Sequence, residues 1–102
     1  MIYVIASIEI VPGKREEFLK AFHQLMPAVH AEVGCIEYSP TVDVESGIDL
    51  QSQKGENIVT VMEKWESVAT LNDHLAAPHM SAYREQVQDI VVGMTLHILE
   101  PA

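Results

Sequence analysis

The sequence predicts a single α+β domain of the ferredoxin-like βαββαβ type, spanning residues 1–102, with helices on one face of a four-stranded antiparallel sheet. Three observations predict it. The chain has 102 residues, enough for one hydrophobic core and too few for two. Short segments of β-branched residues alternate with segments of helical periodicity in the order β-α-β-β-α-β. No internal sequence repeat is present that would indicate another architecture.

The first strand is predicted over Ile2–Val11 and ends at the turn-forming pair Pro12-Gly13. Its even positions are all apolar, which indicates a core face. Its odd positions include Tyr3, Ser7 and Glu9, so the second face is mixed. A mixed second face is typical of a cavity or an interface.

The first helix is predicted from Lys14 to about Gly34, because apolar residues recur there at three- and four-residue spacing. These residues are Phe18, Leu19, Phe22, Leu25, Met26 and Val29. Pro27 removes one intrahelical hydrogen bond and crowds the preceding turn, so we expect the helix to kink or restart there.

Two more strands follow, joined by a long polar connection. The second strand, Cys35–Val44, is weakened at Pro40, which cannot donate to a ladder and favours an edge position. The connection Glu45–Glu56 is long enough to be mobile and to cover a site. The third strand, Asn57–Trp65, places Glu63 on the face of its tryptophan.

The last third of the chain predicts two helical segments and a closing strand. Ser67 is a candidate N-cap for a short helix through Leu75, and Pro78 separates it from a second segment over residues 79–90. The fourth strand is predicted over residues 93–100. Helices on one face leave the other face of the sheet open, so we expect a homodimer through that sheet face.

Composition limits which binding partners the protein is expected to have and in which cellular compartment it is expected to lie. The chain has 6 Lys and Arg against 15 Asp and Glu, a net charge of −9 that disfavours nucleic acid, anionic membranes and phosphorylated substrates. No segment approaches the roughly 20 apolar residues of a transmembrane helix. One cysteine, Cys35, allows no intrachain disulfide, so we expect a reducing cytoplasm.

Several catalytic motifs are absent from the sequence. There is no G-x-S-x-G elbow, and nothing in the sequence activates Cys35 as a nucleophile, which argues against a covalent hydrolase. Neither glycine-rich phosphate motif occurs, so a nucleotide or flavin is not expected. His74 and His79 lie five residues apart rather than four and lack the glutamate of a zinc-binding HExxH motif. We therefore predict no cofactor.

Five histidines remain as candidates for acid-base chemistry. His23 and His30 lie among polar neighbours on the first helix and are predicted to be surface residues. His74 either caps its helix or points into a pocket beside Trp65, where it could act as a base toward a phenol. His97, in the last strand, faces either a cavity or the dimer seam.

The large aromatic residues leave a similar choice open. Tyr38, Trp65 and Tyr83 carry apolar bodies with polar tips, which suits the lining of an apolar pocket. The same residue types are more often part of an ordinary core or interface.

Three sequence runs and two histidines resemble the antibiotic biosynthesis monooxygenase (ABM) domain group of dimeric α+β barrels. The runs are Val11–Lys14 (VPGK), Gly34–Tyr38 (GCIEY) and Glu63–Ser67 (EKWES), and they are followed by His74 and His79. The resemblance covers nearly the whole chain. The segment 42–56 departs from it, since many members have a tighter hairpin there.

The resemblance implies a cavity in each protomer where a small aromatic substrate, a quinol or an anthrone, is oxidised by dioxygen without metal or flavin. It assigns His74 to the family's histidine position, as base or polariser, and Trp65 to the strand-end tryptophan that forms a wall. Glu63 would orient the site. The full set of predicted pocket residues is Trp65, Glu63, Tyr38, His79, Tyr83 and His97.

Other functions stay open at the level of sequence. Members of the same group include isomerases of a small carbonyl compound or a phosphorylated signalling sugar, in which a histidine would move a proton without consuming oxygen. They also include haem-degrading enzymes. A non-catalytic ligand-binding dimer is the third alternative, and it predicts that aromatic residues fill the pocket.

Overall fold

The computed structural model describes all 102 residues and contains four strands and three helices. In chain order they are β1 (Ile2–Ile10), α1 (Arg15–His30), β2 (Cys35–Thr41), β3 (Ile58–Trp65), α2 (Val68–Leu75), α3 (Pro78–Val87) and β4 (Val91–Leu99). The sheet order is β2-β3-β1-β4 and every neighbouring pair is antiparallel. The predicted ferredoxin-like α+β fold is confirmed.

Strand β1 lies inside the sheet and its side chains alternate as predicted. The even residues from Ile2 to Ile10 are all buried, while the odd ones are half-buried or exposed. Residues opposite them on β3, such as Val59 and Val61, are also buried. The core therefore lies between this face of the sheet and the helices.

Helix α1 runs through Pro27 without the predicted restart. Pro27 is exposed and lies in the last turn, where its carbonyl still accepts a hydrogen bond from the Ala31 amide. Leu25 and Val29 are buried on either side of it. Packing of this face holds the last turn in place, so the missing N–H does not end the helix.

The connection between α1 and β2 turns at Gly34, whose φ is +87°. The Glu66 amide donates to the Gly34 carbonyl at 2.9 Å, which joins this turn to the start of α2. There Ser67 and Thr70 form a capping box in which each side chain accepts from the other residue's backbone N–H.

The connection between β2 and β3 reaches the helix-free face of the sheet, and near its end the Glu56 carbonyl accepts a hydrogen bond from Arg15 of α1 at 3.3 Å. Lys54 Nζ donates to Ser7 Oγ at 3.4 Å, and Asp43 accepts from the Lys54 and Gly55 amides. Thr60 lies opposite Ser7 on this face and is buried. The helix-free face is thus more polar than the β-branched composition of the strands predicts. Part of it is also covered by the chain's own β2–β3 connection.

Strand β4 is the exposed edge of the sheet. Met94, Leu96 and Ile98 lie on the helix side, opposite buried residues of β1, yet they remain largely exposed. Helices α1 and α2 pack on β2 and β3 instead. None of the three helices has the length and apolar character that crossing a membrane requires.

Candidate active site

A cavity of about 310 Å³ lies between the sheet and the helices. Twelve of its sixteen lining residues are hydrophobic. Four of the predicted site residues line it: Tyr38, Glu63, His74 and Tyr83. A mostly apolar cavity with a few convergent polar groups is typical of a small-molecule site.

His74 is placed by the last turn of α2 and is 2% exposed. Its Nδ1 lies 2.8 Å from Glu32 Oε2. Nε2 has no hydrogen-bond partner in the protein, and the His74 side chain lines the cavity. Burial lowers the pKa of His74 and Glu32 opposes that shift. A neutral imidazole with a free nitrogen is a competent base.

Glu32 binds both histidines of the region. Its Oε2 also lies 2.8 Å from Nε2 of His79, at the start of α3, and its side chain is 12% exposed. Sequence reasoning missed this residue, because it follows the end of α1 in a segment without periodicity. Only the distance in space to α2 and α3 reveals it.

Glu63 is a buried carboxyl group that faces the cavity from β3. Trp65 Nε1 donates to its Oε1 at 2.9 Å. Burial raises the pKa of Glu63 to about 7; the tryptophan hydrogen bond acts against this shift and the charge of Glu32 adds to it. Glu63 therefore exchanges a proton near neutral pH, as an acid or a base must.

Trp65 lies behind the cavity and is not part of its lining. It is fully buried, and its ring centroid lies 4.5 Å from that of His74. Through this contact and its bond to Glu63 it supports both polar groups of the site.

The two tyrosines of the lining are held by phenylalanines of α1. Tyr38 stacks on Phe22 with ring centroids 5.2 Å apart and meets His74 edge-on at 5.3 Å. Tyr83 contacts Phe18 and Phe22 edge-on. Burial raises the pKa of both tyrosines well above the usual range, so both hydroxyls remain protonated donors.

The other histidines lie away from the cavity. His97 pairs with Ile5 on the helix-free face and is exposed, so the structure does not bring it to the site. His79 contacts the site only through Glu32. His30 lies 2.8 Å from the Tyr38 carbonyl, and His23 is exposed.

Part of the cavity wall comes from residues that sequence reasoning missed. Met94 and Leu96 of β4 contribute it, and the alternation of that strand could have indicated them. Arg84 also lines the cavity, with its guanidinium donating to the Leu75 carbonyl at 2.8 Å.

No group of three or more His, Cys, Asp and Glu side chains is arranged to hold a metal ion. Burial raises the pKa of the Cys35 thiol to about 11, which leaves it unreactive.

Comparison with known proteins places this geometry in a family. The chain is 43% identical over 103 residues to the "Probable quinol monooxygenase YgiN" of Escherichia coli (strain K12), covering 99% of this chain and 98% of that protein. A crystal structure of an antibiotic biosynthesis monooxygenase superposes with a TM-score of 0.82 at 22% identity, covering 100% of this chain and 99% of the other. A conserved Methanosarcina mazei Go1 protein superposes at 0.83 and 22%, covering 99% and 92%.

The family model for antibiotic biosynthesis monooxygenase matches residues 1–86. This range includes β1 to β3, α1, α2 and most of α3. It therefore contains Tyr38, Glu63, His74, Tyr83 and Arg84 of the cavity lining. Membership supports a monooxygenase reaction. The chain belongs to the antibiotic biosynthesis monooxygenase family.

Proposed function

We propose that this chain is a monooxygenase that oxidises a small quinol-like aromatic with dioxygen and uses no metal or flavin. The observation that carries the proposal is the free Nε2 of His74, a residue whose side chain lines a mostly apolar cavity. In that setting a neutral imidazole can take the proton of a phenolic hydroxyl. The resulting anion is electron-rich enough to pass electrons to dioxygen.

The overall reaction balances without an added reductant. A quinol and dioxygen yield a hydroxyquinone and water: one oxygen atom enters the ring and the other leaves as water. The substrate supplies all four electrons. The protein therefore has to bind, orient and deprotonate the substrate and to exclude water from the reactive anion.

The cavity suits a substrate of this class. Its volume of about 310 Å³ is at the small end of ligand sites, which fits a small aromatic molecule. Tyr38, Tyr83, His74 and Glu63 offer polar groups in a mostly apolar lining, which also includes Arg84 and Gln88. Glu63 and His74 suit hydroxyls, and the guanidinium of Arg84, the one fixed positive charge of the lining, already donates to the Leu75 carbonyl.

The relative from Escherichia coli supports the same class, since its name specifies a quinol monooxygenase. The open cavity beside His74 also differs from a pocket filled by aromatic packing, which was the expectation for a non-catalytic dimer.

Oxygen uptake with a panel of benzo- and naphthohydroquinones tests the proposal. We expect uptake above the rate of autoxidation, and with ¹⁸O₂ one labelled oxygen atom in each product molecule. His74→Ala should lower kcat/KM by about 10²–10⁴-fold, the usual contribution of a general base. His23→Ala, on the exposed side of α1, is the matched control and should retain activity.

Two outcomes would contradict this function. Substrate conversion at equal rate under nitrogen would indicate an isomerase, since no oxygen is then consumed. No uptake across the whole panel by folded protein would leave the cavity as a binding site only.

We also propose that the protein is a homodimer through the helix-free sheet face. Tyr3, Ile5, Ile58, Met62 and Leu99 place apolar surface there among the polar residues already described. This face carries no helix, and a second copy offers it a surface of matching shape and composition.

A further inference from the structure

We infer that Glu32 is a positioning residue for the reaction: together with His79 it holds His74 so that the unprotonated Nε2 faces the cavity. The inference deepens the proposed function and depends on it for its catalytic meaning. Its geometric content, the orientation and charge environment of His74, can be measured without any substrate.

The hydrogen-bond pattern at Glu32 carries the argument. Two imidazole nitrogens, His74 Nδ1 and His79 Nε2, lie at 2.8 Å from one carboxylate oxygen. An ionised carboxylate only accepts hydrogen bonds, so each of these nitrogens carries a hydrogen. In neutral His74 the other nitrogen, Nε2, must then be the acceptor. The tautomer required of a base toward the cavity is the one that Glu32 selects.

The arrangement joins three separate parts of the chain through side chains. Glu32 follows α1, His74 ends α2 and His79 begins α3, and they lie 42 and 47 residues from Glu32. His79 is 31% exposed, whereas His74 is 2% exposed. The outer histidine thus anchors the carboxylate from the solvent side while the inner one faces the cavity.

The charge of Glu32 also favours the protonated form of His74 that the reaction would produce. When Nε2 takes a proton, the imidazolium lies directly against the carboxylate, as in the aspartate-histidine pair of serine proteases. Other titratable groups around His74 are His79 and Arg84 from α3, which oppose its protonation, Glu63 from β3, and Tyr38 from β2. Glu32 is the only one of them that hydrogen-bonds the ring.

NMR titration of the ring nitrogens of His74 in the substrate-free dimer tests this directly. In Glu32→Gln the amide oxygen can still accept from Nδ1, so the tautomer should persist, but the midpoint should move to lower pH because the negative charge is gone. Glu85→Gln removes the same charge from an exposed position on α3 and should leave the midpoint unchanged.

A second variant provides a shift of opposite sign. His79→Gln keeps an N–H donor for Glu32 but removes an imidazole that lowers the pKa of His74, so the His74 midpoint should move to higher pH. If Glu32 and His79 only held the fold together, the two variants would not shift the titration midpoint of His74 in opposite directions. An unchanged midpoint in Glu32→Gln, or a downward shift in His79→Gln, would overturn the inference.

Kinetics then connects the positioning role to catalysis. In Glu32→Gln we expect kcat/KM to fall at least tenfold and its acid limb to move to lower pH, with KM nearly unchanged. Equal kcat/KM values and pH profiles in Glu32→Gln and wild type would overturn the catalytic part. If wild type consumes no oxygen while the NMR shifts appear as expected, the proposed function fails and the positioning geometry stands.

Discussion

Burial brings the pKa of Glu63 into the neutral range. Its carboxyl group lies in the apolar cavity wall with one hydrogen bond, from Trp65, to stabilise its charge. Burial raises its pKa from 4.5 to about 7. The folded protein therefore keeps a proton that the unfolded chain would already have released, and ionising this group costs stability.

Replacing Glu63 by Gln should remove that cost. Between pH 4.5 and 7 the unfolded chain loses the Glu63 proton while the folded chain retains it, so wild-type stability falls as pH rises through this window. The gain from Glu63→Gln should therefore grow from pH 4.5 to pH 8 by about 3 kcal/mol. Gln keeps an oxygen to accept from the Trp65 indole. Urea unfolding at both pH values and equal protein concentration measures the effect.

The exposed Glu66→Gln is the matched control and should show no pH-dependent gain. A Glu63→Gln protein whose stability relative to wild type is the same at both pH values would show that Glu63 ionises normally.

At the residue scale, the sequence indicates groups whose role follows from a strand face or a chemical type. Glu63 and Trp65 follow from the alternation of β3, and His74 from its chemistry and its match to the family pattern. Glu32 and Arg84 could not be predicted, because their partners lie on other elements and no periodicity marks them. His97 illustrates the remaining ambiguity: a strand has two faces, and register alone decides between them.

The junction of α1, β2 and α2 is closely packed at Gly34. Gly34 has a φ of +87°, and a Cβ placed there would lie 2.5 Å from Thr70 Cγ2. Thr70 cannot easily move aside, because its hydroxyl is part of the capping box with Ser67. This junction also fixes the position of Glu32, which lies between the end of α1 and Gly34.

Gly34→Ala should therefore be strongly destabilising, by at least about 3 kcal/mol, through backbone strain and the collision with Thr70. Gly13→Ala is the matched control: its φ is +84°, but its Cβ would meet nothing within 4 Å. It should cost only the conformational term, about 1–2 kcal/mol. Chemical denaturation of both variants measures the difference, and equal losses would show that the Thr70 contact is relaxed.

Element boundaries were predictable where one face is buried and less so elsewhere. The alternation in β1 and β3 and the helical period of α1 predicted those elements to within a few residues. The predicted restart at Pro27 does not occur, because a local rule about its missing N–H does not include the packing of Leu25 and Val29. The course of residues 42–57 depends on single contacts such as Lys54 to Ser7, which no pattern encodes.

For the whole molecule, the exposed apolar surface of the single chain favours assembly into a dimer. Strand β4 and the helix-free face expose large apolar side chains, among them Met62 at 36% and Leu99 at 48%. Soluble monomers rarely leave such residues grouped together. Removing this apolar surface from water would favour association, against the entropy cost of joining two chains.

Light scattering at low micromolar concentration should report twice the chain mass of 11.3 kDa, with a melting temperature that rises with protein concentration. Met62→Lys, on the helix-free face, should shift the population toward the monomer. Val33→Lys, at a residue that is 84% exposed, is the control and should stay dimeric. A wild-type monomer under these conditions would contradict the sheet-to-sheet dimer.

Trp65 gives the molecule an intrinsic optical probe. It is the chain's one tryptophan, it is shielded from water, and its indole contacts both a carboxyl group that titrates near pH 7 and the imidazole of His74. Imidazolium and protonated carboxyl groups quench indole emission more strongly than their basic forms. The emission intensity of Trp65 in the unlabelled protein should therefore report the protonation state of the site. It can be recorded during a pH titration or on mixing with an aromatic compound.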